Sequence, residues 1–246
     1  MTFTRSRLVI IGAITLLVGL LVMFPARVAY HWVAPPGVAL SGIDGSIWRG
    51  QAREGEVGGI YLRNVNWRMQ PLALFRAKLG YAVEADAASG FVAGIATIGM
   101  GGSAALQDLT ASLSLRDFQG LVRMPGLDGM VNLQFERLEF ENGIPVAADG
   151  NLQVANLRAP LIYRAPIGGF RAEFFTQESG VMASVEDTDA VVDIAGSLSL
   201  STDRTYQFLA QVAPKSDTPA DLKEQMRFLG TANERGQYEL RLEGQL

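Results

Sequence analysis

The sequence predicts a mainly β protein: one N-terminal transmembrane helix, then a curved antiparallel sheet shaped as a half-barrel or groove, with one short C-terminal helix. Three observations carry this. An uncharged apolar run, Leu8 to Phe24, opens the chain; a phrase of the form Gly-x-apolar-x-apolar recurs through the rest; one capped segment of helical period interrupts that series near the end. With 246 residues, 48% of them hydrophobic, the chain is large enough to bury a sizeable core.

The apolar run comes first. Arg5 and Arg7 precede it, and its 17 residues, wound as helix at ~1.5 Å per residue, nearly cross a hydrocarbon layer of ~30 Å. A cleaved signal peptide has a shorter apolar core and a small-x-small site, which Pro25, Arg27 and Tyr30 interrupt here, so the run reads as an uncleaved anchor. The two arginines place the short N-terminal side in the cytoplasm and the remainder in the periplasm. The expected organisation is a cytoplasmic tail over 1–7, a transmembrane helix over 8–26, a juxtamembrane spacer over 27–37 and a periplasmic β-domain over 38–246. Tyr30, His31 and Trp32 would lie at the outer headgroups, and Pro35-Pro36-Gly37 would stiffen the spacer.

The next stretch, Ser41-Gly42-Ile43-Asp44-Gly45-Ser46-Ile47-Trp48-Arg49-Gly50, organises the strands that come after it. Asp44-Gly45 is a turn dipeptide able to supply positive φ, and Ser46-Ile47-Trp48 leaves it with strand propensity. Gly45-x-x-Trp48-x-Gly50, preceded by Val38-Ala39-Leu40 and followed by Asn66-Trp67-Arg68 and Pro71-Leu72, resembles the opening signature of the type II secretion system protein N family (general secretion pathway protein N). Weaker similarity continues through Leu106-Gln107-Asp108-Leu109 and Met124-Pro125-Gly126. Gly42, Gly45, Trp48, Gly50, Trp67 and Pro71 carry the signature as structural positions, with the two tryptophans as core anchors. The resemblance implies an accessory inner-membrane component of the machine that exports folded proteins across the outer membrane, acting through contacts with other secretion components. A single anchor followed by a long curved sheet is also the plan of the AsmA-like lipid carriers. On that alternative the concave face would hold lipid instead of being filled by Trp48, Trp67, Phe135, Phe174 and Phe208.

Beyond the signature the alternation is that of strands. Val57–Trp67 alternates around Gly58-Gly59, Pro71–Phe75 suits one helical turn, and Lys78–Ala85 resumes as strand. Phe91–Met100 is a glycine-rich strand and Leu109–Leu115 a cleaner one, while Arg116–Pro125 suits a short helix or loop. The recurrent phrase then appears at Gly129, Gly150, Gly196 and Gly236, each glycine read as ending a turn. Asp128-Gly129, Asn142-Gly143 and Asp149-Gly150 are turn signals, and Thr202–Thr205 closes a hairpin. The irregular spacing suits an antiparallel meander better than a solenoid. Asp217-Thr218-Pro219 caps a helix whose Leu222, Met226 and Leu229 form one stripe, stopped by Gly230 and placed to plug one opening of the sheet.

Catalytic chemistry finds no support in this chain. Its single histidine, His31, lies beside the anchor, out of reach of a triad in the folded domain, and the absence of cysteine removes thiolate nucleophiles, disulfides and cysteine metal sites. Asp44, Asp86, Asp108 and Asp128 read as turn residues that bond nearby backbone, Glu136, Glu139 and Glu141 as a wet strand face, and Gly99-x-Gly101-Gly102 lacks the helix that a nucleotide loop needs. A formal net charge of −4 gives nucleic acid nothing to bind. Neither enzyme, metal nor cofactor is expected.

Overall fold

The computed structural model describes residues 5–34, 37–74, 78–99, 102–118 and 124–245. Pro35-Pro36, Phe75, Met100, Gly101, residues 119–123 and the start of the expected cytoplasmic tail lie outside them. The strands are β1 (Val38–Ser41), β2 (Asp44–Gly45), β3 (Arg49–Val57), β4 (Ile60–Met69), β5 (Lys78–Ala87), β6 (Gly90–Gly99) and β7 (Ser103–Ser114). They continue with β8 (Asp128–Glu141), β9 (Ile144–Ala159), β10 (Tyr163–Gln177), β11 (Gly180–Asp187), β12 (Val192–Ser201), β13 (Thr205–Pro214) and β14 (Tyr238–Gln245). All belong to one open antiparallel sheet in which neighbours in sequence are neighbours in space from β3 to β14, with β1 and β2 both against β3. The predicted meander is therefore the observed architecture.

Turn chemistry sets the register. Gly58-Gly59 and Asn142-Gly143 both have positive φ and close tight hairpins, and Arg204 does the same between β12 and β13. Val57–Trp67 is thus a hairpin arm, a turn and a second arm, not one strand. Three other turn readings are corrected. Asp149-Gly150 lies inside β9, Gly196 lies inside β12, and Asp108 lies inside β7 with φ 49°, beside a register shift in the β6–β7 ladder. A short polar side chain tolerates this left-handed backbone, so the residue makes a bulge and the strand runs on.

Gly150 pairs with Phe135 on one side and Phe174 on the other. The two phenylalanine rings, separated by a whole strand, come within 5.3 Å across it, although flat strands two apart stand ~9.6 Å from each other. A side chain at Gly150 would meet the Gln134 carbonyl at 2.3 Å and the Phe135 ring at 2.9 Å. Glycine there lets the rings close over the backbone. Phe135, Ala148, Val181 and Leu200 form a buried cluster with Phe174 and Tyr206 packed against it.

The hairpins define two rims. One, the near rim, carries Arg49, the β4–β5 connection and the tips after Gly99, Glu141, Gln177 and Ser201; the other carries the opposite turns. Helix α4 (Ala220–Met226) seats Leu222 and Met226 at the far rim among Ala159, Tyr163, Ile167, Val192 and Val212. This is the expected plug, with two corrections. Thr218 does not cap the helix: its buried hydroxyl donates to the Val191 carbonyl and accepts the Lys215 N–H, and Pro219 occupies the cap position. Leu229, 39% exposed, leaves the stripe because the last turn tightens to 3-10 geometry over Arg227–Leu229.

Lys215 also closes this rim, donating to the Asp187 carboxylate and to the Ala190 carbonyl. Burial pushes the Asp187 carboxyl up, but the ammonium and the Ile194 N–H outweigh it and hold it below the ordinary carboxylate value. Asp149 is held down in the same way, by Thr176 and Arg137 against burial. A lowered folded pKa contributes stability that is complete above the unfolded value, near ~4, and is lost as pH falls through the folded one. Urea midpoints should accordingly fall on acidification, and Asp187→Asn should flatten that fall while lowering the midpoint at neutral pH. Parallel curves for both proteins would refute the assignment.

The N-terminal expectation is the one most revised. Helix α1 (Arg5–Val22) stops before Pro25, and Ala26 opens a second helix, α2 (Ala26–Val33), whose first residue is buried in the core. The region expected as the end of an anchor over 8–26 and a spacer over 27–37 is a break followed by a helix packed on the sheet. Among the described residues no helix is long and apolar enough to cross a membrane. From Leu8 to Val22 the apolar rise is about 22 Å, because Pro25 lacks the N–H that would continue the helix and pairs instead with Ser46.

Candidate functional site

The signature residues meet where α1, α2 and the first strands join. Gly42 lies between β1 and β2, next to the Arg53 side chain. Gly45 has the expected positive φ, 91°, and a side chain there would lie 2.7 Å from the Arg49 carbonyl, but Asp44-Gly45 is strand β2, paired with Gln51 and Gly50. The chain reverses one step later, where the Ser46 N–H donates to the Arg49 carbonyl at 2.9 Å, so Ile47 and Trp48 form the turn instead of the strand expected of them. Across the ladder Gly50 faces Trp67, whose ring covers the space where a Cβ would be, and the Trp67 indole N–H donates to the Ser46 carbonyl at 3.2 Å. Trp67 is packed against the buried cluster that holds Ala52, Leu62 and Val65.

Trp48 is not. Half-buried, it donates its indole N–H to the Leu21 carbonyl at 2.9 Å. The last carbonyls of a helix have no partner within it, and this tryptophan supplies one. The Ile47 N–H likewise bonds the Phe24 carbonyl at 3.0 Å, and the Met69 N–H bonds the Trp48 carbonyl at 2.7 Å. The turn therefore fastens the end of α1 to β3 and, through Met69, to β4. Pro71 opens the helical turn α3 (Pro71–Leu74), which lies over Gly80 of β5. Gly45, Trp48, Gly50 and Trp67 are brought together; Gly42 and Pro71 flank them on opposite sides.

Sequence reasoning missed the part played by α2. The Tyr30 hydroxyl donates to the Val38 carbonyl and accepts the Leu40 N–H, each at 3.0 Å, taking two of the outward groups of β1. Arg27 donates to the Ile43 carbonyl at 3.3 Å. An aromatic four residues after Ala26 in an amphipathic octet was the available signal, obscured by reading those rings as a membrane belt. Between α2 and β1–β3 lies an open groove of about 990 Å³, lined by His31, Trp32, Arg53 and Gln51 among others. A second hollow, about 280 Å³, lies between Arg49, Arg68, Trp67 and Glu84.

The carboxylates give structure rather than a reaction centre. Asp86 accepts from Asn64 at 2.8 Å and Asp44 from the Gly45 N–H at 2.8 Å, while Asp128 is held below its ordinary value first by Arg116. Among the described residues no three His, Cys, Asp or Glu side chains are grouped to hold a metal ion. After Gly99 the chain turns at Gly102 into β7, a strand where a phosphate loop would need a helix.

Comparison with known proteins matches residues 36–241 to the family described as Type II secretion system (T2SS), protein N. The type II secretion system protein N of Vibrio cholerae serotype O1 is 30% identical over 244 residues, covering 94% of each chain. That of Aeromonas hydrophila is 26% identical over 235 residues, 92% of this chain and 93% of its own. The Pectobacterium carotovorum subsp. carotovorum protein is 25% identical over 126 residues, 42% of this chain and 50% of its own. No solved structure matches the chain.

Proposed function

Because the chain belongs to the type II secretion system protein N family, we propose that it is a non-catalytic accessory component of that machine. In this reading it is held at the inner membrane by α1 and contacts other secretion components through its periplasmic sheet. The observation that carries the role is the match itself, which runs from before β1 into β14 and so covers the whole sheet. Packing of Phe135, Phe174 and Leu200 into one cluster supports a scaffold over the lipid-carrier alternative.

The membrane placement rests on α1. Its large apolar side chains from Val9 to Val22 stand 49–70% exposed around the helix, an arrangement that water disfavours and a bilayer satisfies. Leu8–Phe24 supplies the apolar run, and Arg5 and Arg7 mark its cytoplasmic end. Fractionation tests this: the full chain should stay in the membrane pellet through carbonate extraction, and a reporter fused after Leu246 should be active only in the periplasm. Recovery of the protein in the soluble fraction would refute the anchor. Loss of secretion on deleting the coding region, restored by the full chain and not by one lacking 5–24, would support the role; unchanged secretion in the deletion strain would refute it.

A further inference from the structure

The near rim divides into two sectors of opposite character. In the sector beside α1, Arg49 and Arg68 are direct register partners on β3 and β4, and Lys78 begins β5 on the same rim. Like charges placed opposite each other in a ladder repel, and both arginines are exposed with no carboxylate bound to either among the salt bridges of the described residues. The same sector exposes apolar side chains. Leu72 of α3 is 77% exposed, Leu74 43%, and Leu79 and Ile98, register partners on β5 and β6, are about half exposed. The opposite sector carries Glu139, Glu141 and Glu178 at its tips, with Asp203 beside Arg204.

We propose that the sector of Arg49, Arg68, Lys78, Leu72 and Leu74 is a docking surface for the anionic headgroup layer of a phospholipid bilayer. The inference rests on α1 being the membrane anchor, and three features choose this occupant. The sector adjoins the point where Trp48 and Ile47 bind the end of α1, so a bilayer holding α1 lies against it. The paired arginines frame the 280 Å³ hollow, which has room for a phosphate and has Glu84 on its wall as well. The leucines beside them suit the boundary between headgroups and acyl chains. The acidic sector is repelled by the same surface, so the sheet tilts with its β3–β6 side down. Tilt, rather than depth, is what the charge pattern encodes.

The chain contains no cysteine, so Leu72→Cys gives a unique attachment point for a solvent-sensitive fluorophore, with Leu161→Cys on the far rim as the control. The full chain is reconstituted into vesicles of phosphatidylcholine alone or mixed with phosphatidylglycerol. The probe at position 72 should be shielded from an aqueous quencher only in the mixed vesicles, and the probe at 161 in neither. Each cation near an anionic surface favours contact by a factor of about five, so Arg49→Gln with Arg68→Gln should lower the docked-to-undocked ratio about 30-fold while co-flotation persists. A probe at 72 that stays open to quencher in floating vesicles of both kinds overturns the docking surface alone. So does shielding that ignores phosphatidylglycerol or survives the double substitution. A chain that fails to float with either vesicle overturns the anchor and the docking surface together.

Discussion

Phe135→Ala is expected to lower the stability of the domain by about 3–5 kcal/mol, the range for removing a buried phenylalanine. Its ring is buried, touches Phe174 across β9, and belongs to the cluster with Val181 and Leu200. Truncation would leave a void above Gly150, and glycine has no side chain with which to fill it. The half-buried Phe174 should cost less on truncation. The double variant should reveal a coupling of about 0.5–1.5 kcal/mol, the worth of an aromatic pair beyond its buried area. Denaturant unfolding of the four proteins measures all of these. A Phe135→Ala midpoint equal to that of the parent would mean that the ring pair over Gly150 contributes no packing energy.

Leu222→Ala should be the second large effect, costing about 2–5 kcal/mol because the side chain is buried at the far rim among strand ends from β9 to β13. Leu229→Ala, seven residues on, should stay within about 0.5 kcal/mol as an exposed position. The pair discriminates between a stripe running the full segment, as its spacing implies, and one ended by the 3-10 turn. Equal losses at both sites would restore the longer stripe. Phospholipid retained by the detergent-free protein and shed on Leu222→Asp would instead make α4 a gate over bound lipid.

These two sites also mark how far the sequence could be read. Alternation in β8, β9, β12 and β13 exposed the apolar face directly, and the periodic segment after Pro219 gave α4 its place, because both signals are local. Asp149-Gly150 misled for a non-local reason. The dipeptide has turn chemistry, but Gly150 is required by two phenylalanines on flanking strands, and only the folded sheet brings these to it. Trp48 was misassigned similarly. Its indole answers a helix-end carbonyl at Leu21, 27 residues earlier, which no pattern within the signature could announce. The octet 26–33 was read through its aromatics, while the informative fact was that Ala26 and Tyr30, four apart, share the helix face turned to the sheet.

The lateral margins of the sheet are unlike. Tyr30 occupies two of the outward groups of β1, the Val38 carbonyl and the Leu40 N–H, whereas among the described residues nothing pairs with the outer side of β14. A chain that grows head to tail needs two complementary free margins, and Tyr30 obstructs one of them, so strand addition at β14 would not propagate into a fibre. Two copies joined antiparallel through β14 would send their α1 helices out of opposite ends of the pair. A strand received at that margin would therefore end the assembly.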